Sequence, residues 1–188
     1  MKLWLVRHAR PLVDAGVCYG KLDVPADAEH SLACARELAT ALPAEIQISC
    51  SPLQRCEQLM LALLTLRPDL TCKTDSRLQE MHFGRWEGRA WDAIAPAELQ
   101  AWTDDFANYK AGSEGDVGTH SGESVSEFMA RVADAFDELP RYADTLWITH
   151  VGVIHAASLI ARGVRQLEHA AQWPTTATAF GKWCKLDL

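Results

Sequence analysis

Two histidines, two arginines and one glutamate occupy positions where chemistry is possible. Arg7 and His8 end the apolar run Leu3-Trp4-Leu5-Val6. An ionisable pair there carries a desolvation penalty unless a site uses it or the strand end reaches water. His150 closes a second apolar run, and Gly152 follows two positions later. Backbone N–H groups at such a turn into a helix could face an anion. Each histidine alone reads equally well as a structural strand end; two of them on one sheet edge point to a shared site. Arg55 falls in the first turn of a segment whose start is marked by Ser51 as N-cap and Pro52 at the first helical position. A cation there opposes the helix dipole, so the position suits either a solvated side chain or one with an anion nearby. A fork-shaped donor beside a helix N-terminus favours phosphate. Glu80, upstream of Gly84 and Gly88, reads by itself as a solvated carboxylate in a constrained loop.

The elements that must position these groups follow from hydrophobic periodicity. Residues 2–7, 46–50, 70–74 and 145–149 read as strands, and 176–188 as a last strand at one edge. An Ala-rich helix is predicted over 31–42, closed by Pro43, and another over 53–66, ending before Pro68. Residues 77–122 are less regular, with a short helix near Trp91, a second over 96–106 and a Gly-rich acidic loop over 112–122. Ser124 and Glu127 form a capping box ahead of a stripe of Val125, Phe128, Met129, Val132, Phe136 and Leu139. A further helix is predicted over 151–162. Strands alternating with helices imply an α/β three-layer sandwich: a mostly parallel central sheet with helices on both faces. Such sheets bind ligands beyond the carboxyl ends of their strands, where His8, Arg55 and His150 all fall. The chain is read as one domain over 1–188, with 77–122 as a lid or specificity insert.

Bulk properties narrow the function. The 188 residues carry a net charge of −7, which argues against a nucleic-acid partner. An acidic protein that binds phosphate must gather its cations locally. No apolar run approaches the roughly 20 residues of a membrane span. The opening apolar stretch is too short for a signal peptide, so a cytoplasmic protein is expected. The six cysteines form no C-x-x-C and no zinc-finger spacing with His, and read as reduced, mostly buried thiols. No H-E-x-x-H or comparable spacing appears, so neither a metal nor another cofactor is expected.

Five segments, in order, carry a family resemblance. Leu5-Val6-Arg7-His8 resembles the strand-end Arg-His signature of the histidine phosphatase superfamily, the phosphoglycerate mutase-like group. Cys50-Ser51-Pro52-Leu53-Gln54-Arg55 is similar to its second motif. Leu78-Gln79-Glu80, with Phe83-Gly84 and Trp86-Glu87-Gly88, resembles the segment bearing its acid. Ser121-Gly122-Glu123-Ser124 resembles its Gly-Glu-Ser helix entry, and Ile148-Thr149-His150-Val151-Gly152 its last motif. The resemblance implies a metal-independent phosphatase with His8 as nucleophile. Arg7, Arg55 and His150 would hold the phosphate oxygens, and Glu80 would act as proton donor and then acceptor. The chain departs from the family at Ala9, at Pro11, at Asp14 and at Val151, none of which removes a catalytic side chain; Val151 is placed among the substrate-binding residues. The substrate is expected to be a small phosphate monoester. Gly16-x-Cys18-Tyr19-Gly20-x-x-Asp23-x-Pro25 looks like the corresponding loop of alpha-ribazole phosphatase-like members, which suggests alpha-ribazole 5'-phosphate, with Tyr19 either stacking on a flat base or packing the loop. A phosphohistidine-protein phosphatase, a phosphoglycerate mutase and a catalytically silent phosphate-binding module are the alternatives. The oligomeric state stays open.

Overall fold

The computed structural model describes residues 1–112 and 122–188. Most of the acidic loop expected over 112–122, and Ser121 of the Gly-Glu-Ser motif, lie outside the described residues. Among those described, the strands are β1 (Lys2–Arg7), β2 (Ile46–Cys50), β3 (Cys72–Thr74), β4 (Asp144–Thr149) and β5 (Trp183–Asp187). The helices are α1 (Ala28–Ala41), α2 (Gln54–Leu66), α3 (Pro96–Asp104), α4 (Val125–Asp137) and α5 (Val151–Ile160). The strands form one sheet in the order β3-β2-β4-β1-β5. The pairings of β3, β2, β4 and β1 are parallel, and β5 runs antiparallel along β1 at the edge.

The alternation of side chains along each strand divides the core into two layers. Leu3 and Leu5 of β1 and Trp147 of β4 face α4 and α5, packing with Phe128, Val132 and Ile154. Trp4 and Val6 of β1 with Leu146 and Ile148 of β4 face α1 and α2, meeting Leu38, Leu59 and Leu63. Each of these fully buried aliphatic side chains contributes roughly 2 kcal/mol of burial free energy. Helices thus cover both faces, as the alternating pattern implies. No helix of the described residues is long and apolar enough to cross a membrane.

Several boundaries differ from the sequence reading for identifiable reasons. Helix α1 starts three residues earlier, because Asp27 caps it by accepting the His30 N–H. Helix α2 begins at Gln54, with Leu53 in the cap position and no side-chain cap bond. Ser51 still accepts the Leu53 N–H at 3.4 Å, yet its hydroxyl is committed elsewhere. The turn at Trp91 is a 3-10 turn, Trp91–Ala93. The capping box of Ser124 and Glu127 forms in full.

Candidate active site

Backbone hydrogen bonds stitch three strand ends together at one place. The His8 N–H donates to Thr149 O at 2.9 Å, and the Ser51 N–H donates to Ile148 O at 3.0 Å. The parallel register of β1, β4 and β2 therefore brings residues 8, 51 and 150 to a common edge. The rings of His8 and His150 lie 5.1 Å apart, centroid to centroid. Both are buried, at 2% and 0% exposure.

The two imidazoles have distinct hydrogen-bonding states. His8 Nδ1 lies 2.7 Å from the carbonyl oxygen of Ala9. A carbonyl only accepts, so Nδ1 carries the proton and Nε2 holds the lone pair. No protein group is bonded to that Nε2 among the described residues. Burial holds the His8 pKa well below the ordinary 6.5, with Arg55 and Arg7 adding to the effect against the Ala9 bond. His150 meets the Ser51 hydroxyl through Nε2 at 2.8 Å, with Cys56 Sγ at 3.5 Å, and its Nδ1 has no partner. Burial, then Arg55 and His8, likewise depress its pKa. Two neutral rings side by side satisfy the burial penalty that two cations would not.

Arg55 is wholly buried. Its Nη1 donates to Leu22 O at 2.8 Å and its Nη2 to Gly20 O at 2.6 Å, while Nε has no partner. The guanidinium lies over the Tyr19 ring at 5.4 Å. Arg7 donates to Thr178 O at 2.8 Å and stacks on Phe180 at 3.8 Å. Neither arginine forms an ion pair with a carboxylate among the described residues, whereas Arg67, Arg77, Arg131 and Arg165 all do. Burying a guanidinium against carbonyl dipoles alone leaves several kcal/mol of desolvation uncompensated, a deficit that an anion would remove.

Glu80 is held by two backbone amides. Its Oε1 accepts the Met81 N–H and its Oε2 the Gly152 N–H, each at 3.0 Å. A Cβ at position 152 would collide with Oε1, so glycine there lets the carboxylate sit against the first turn of α5 without shifting. Arg7, His8, Glu80, Val151 and Tyr19 line one cavity of about 480 Å³; Arg55 and His150 lie behind this lining, within electrostatic reach of His8. Above the charged groups its walls are largely apolar, built from Phe83, Trp91, Trp102, Phe106, Phe128 and Trp173. Ala9 is fully buried in the core, and Pro11 bridges to Ala26. Asp14 lies in a separate surface groove with Leu12 and Leu22.

The structure adds groups that the sequence reading assigned otherwise or passed over. Ser51, expected as a helix cap, holds His150. Phe180 supports Arg7 from a loop remote in sequence. Arg131 and Glu123, on and before α4, grip the segment that carries Glu80. Only the Gly-Glu-Ser motif hinted at Glu123, and nothing local marked Arg131. No group of three or more His, Cys, Asp or Glu among the described residues is placed to hold a metal ion.

Comparison with known proteins bears on this arrangement. The sequence profile of the histidine phosphatase superfamily, branch 1, matches residues 3–180. An adenosylcobalamin/alpha-ribazole phosphatase of Salmonella typhimurium is 28% identical over 198 residues, covering 100% of this chain and 91% of its own. A glucosyl-3-phosphoglycerate phosphatase of Mycolicibacterium vanbaalenii is 30% identical over 175 residues, covering 87% of this chain and 75% of its own. Among solved structures, a mycobacterial glucosyl-3-phosphoglycerate phosphatase in complex with VO3 superposes with a TM-score of 0.76 at 25% identity, over 99% of this chain and 92% of that one.

Proposed function

The chain belongs to the histidine phosphatase superfamily, and from that premise we propose that it hydrolyses phosphate monoesters through a phosphohistidine at His8. One observation carries the reading: the His8 ring is locked through Nδ1 to the Ala9 carbonyl, which leaves the Nε2 lone pair unspent beside Arg7 and Arg55, whose partners among the described residues are carbonyls and not carboxylates. In the first step Nε2 attacks phosphorus, the P–O ester bond breaks, and a proton on Glu80 passes to the leaving oxygen. In the second, Glu80 takes a proton from water, the water oxygen attacks phosphorus, and the N–P bond breaks. Arg7, Arg55 and the unpartnered Nδ1 of His150 hold the non-bridging oxygens as charge redistributes. Because side chains supply the positive charge, a chelator should leave turnover intact and vanadate should block it.

The apolar walls favour a flat, weakly polar leaving group. Alpha-ribazole 5'-phosphate meets that description, and the Salmonella typhimurium relative and the loop around Tyr19 point the same way. Among the described residues Arg7 is the one Lys or Arg in the lining, and it faces the phosphate, so a glycerate carboxylate would lack a cationic partner. Residues 77–122 then act as the specificity insert of a single domain spanning 1–188, since Met81, Phe83, Trp91, Trp102 and Phe106 all come from it. The test is a kcat/KM panel of alpha-ribazole 5'-phosphate, 3-phosphoglycerate and a phosphohistidine protein. A marked preference for the first is expected; preference for the third would transfer the assignment to a phosphoprotein phosphatase.

A further inference from the structure

The segment carrying Glu80 follows a 3-10 turn, Ser76–Leu78, and lies in no strand or helix. Its backbone carbonyls are nevertheless all engaged, and by side chains. Arg131 Nη1 donates to Arg77 O at 2.7 Å and to Gln79 O at 2.8 Å, and Nη2 donates to Glu80 O at 3.0 Å. Thr149 Oγ1 donates to Leu78 O at 2.7 Å, filling the gap in the series. Arg131 is itself fixed by Glu123, through Nε to Oε1 at 2.6 Å and Nη2 to Oε2 at 2.9 Å. Glu123 closes the frame by accepting the His82 N–H at 3.3 Å and donating its own N–H to His82 O at 2.7 Å.

A general acid works only within hydrogen-bond reach of the atom it protonates. A displacement of about 1 Å can lower a rate about a hundredfold. The carboxylate of Glu80 is oriented by the Met81 and Gly152 amides, but those bonds hold only if its main chain stays in place. We infer that Arg131, buttressed by Glu123, is a positioning residue that sets the reach of Glu80 towards the leaving oxygen, and that Thr149 ties the same segment to the strand bearing His150. The inference rests on the reading of Glu80 as the acid. It joins α4, which touches no reacting atom, to one particular step of the reaction.

The test separates leaving groups. Values of kcat/KM are measured for phenyl phosphate, whose leaving oxygen needs a proton, and for 2,4-dinitrophenyl phosphate, whose leaving oxygen does not. Arg131→Met should lower the first by about ten- to a hundredfold and the second by less than about threefold. Arg131→Lys should recover part of the loss. In a Glu80→Gln background, removing Arg131 should add no further discrimination between the esters. Equal losses on both esters, or further discrimination on removing Arg131 in that background, would overturn the inference. Should Arg131→Met fail to fold, Arg131→Lys and Thr149→Val carry the same comparison, and equal losses there overturn it too. If Glu80→Gln alone treats both esters alike, the acid role fails first, which that single variant reveals.

Discussion

The floor and the walls of the cavity are built on opposite principles. The floor gathers His8, His150, Arg7 and Arg55 from two parallel strand ends and the start of α2. Its arginines are aligned by carbonyls and His150 by a hydroxyl, and neither arginine has a carboxylate partner among the described residues. The walls come mainly from the irregular stretch after β3, where Phe83 meets Trp91 and Trp102 edge-on and Trp91 lies nearly parallel to Trp102. Behind these rings Trp86 Nε1 donates to the buried Glu98 at 2.6 Å, which also pairs with Arg85, while Trp102 Nε1 has no partner among the described residues. On the proposed function, a phosphate anion completes this floor. On the same reading the largely apolar walls select by shape and apolar area. On the proposed function, reaction type and substrate choice are carried by different parts of the chain, and substitutions should separate them.

Deleting the nucleophile should have the largest effect. His8→Ala should lower kcat/KM for p-nitrophenyl phosphate by about 10⁴-fold or more, because the nearby Ser51 hydroxyl and buried Cys56 thiol are both engaged with His150. Robust turnover by the purified variant would erase the distinction between floor and walls. Arg55→Met should follow, with a loss of about 10²–10³-fold that is similar for every ester, as befits a group that holds only the phosphate. Trp102→Ala should act on one substrate class: about a tenfold rise in KM for alpha-ribazole 5'-phosphate against a much smaller change for glycerol phosphate. A uniform loss would mean that the walls serve the chemistry as well.

The smallest effect is on stability. His8 and His150 both have pKa values depressed by burial, so the folded chain binds fewer protons than the unfolded chain in the window between those lowered values and about 6.5. Their contribution is complete above about 6.5 and is lost as the pH falls through that window. Tm should drop by several degrees on acidification from about pH 7 to 5. His150→Asn should flatten that dependence, and a slope unchanged by this variant would show that other groups set it.

Much of the floor was legible in the sequence. Apolar runs ending in Arg7-His8 and in His150 predict parallel strands whose carboxyl ends meet. That follows because strand periodicity and the handedness of strand-helix-strand crossovers are local properties. The capping box at Ser124 and the stripe along α4 belong to the same class. Ser51 shows the limit: its spacing from Pro52 spells a helix cap, yet a histidine 99 positions away claims its hydroxyl. The grip of Arg131 on three carbonyls, the placement of Phe180 beneath Arg7 and the meeting of Trp91, Trp102 and Trp173 around one cavity had no local signature.

Sequence alone determined the layer order, the strand ends and the residue types placed there, since these depend on side-chain pattern along a few turns or a single strand. Tertiary structure decided which nitrogen of His8 keeps its lone pair, which arginines stay unpaired and which carbonyls Arg131 holds. Those outcomes depend on hydrogen bonds a few ångströms long between segments far apart in the chain, and no local pattern records them.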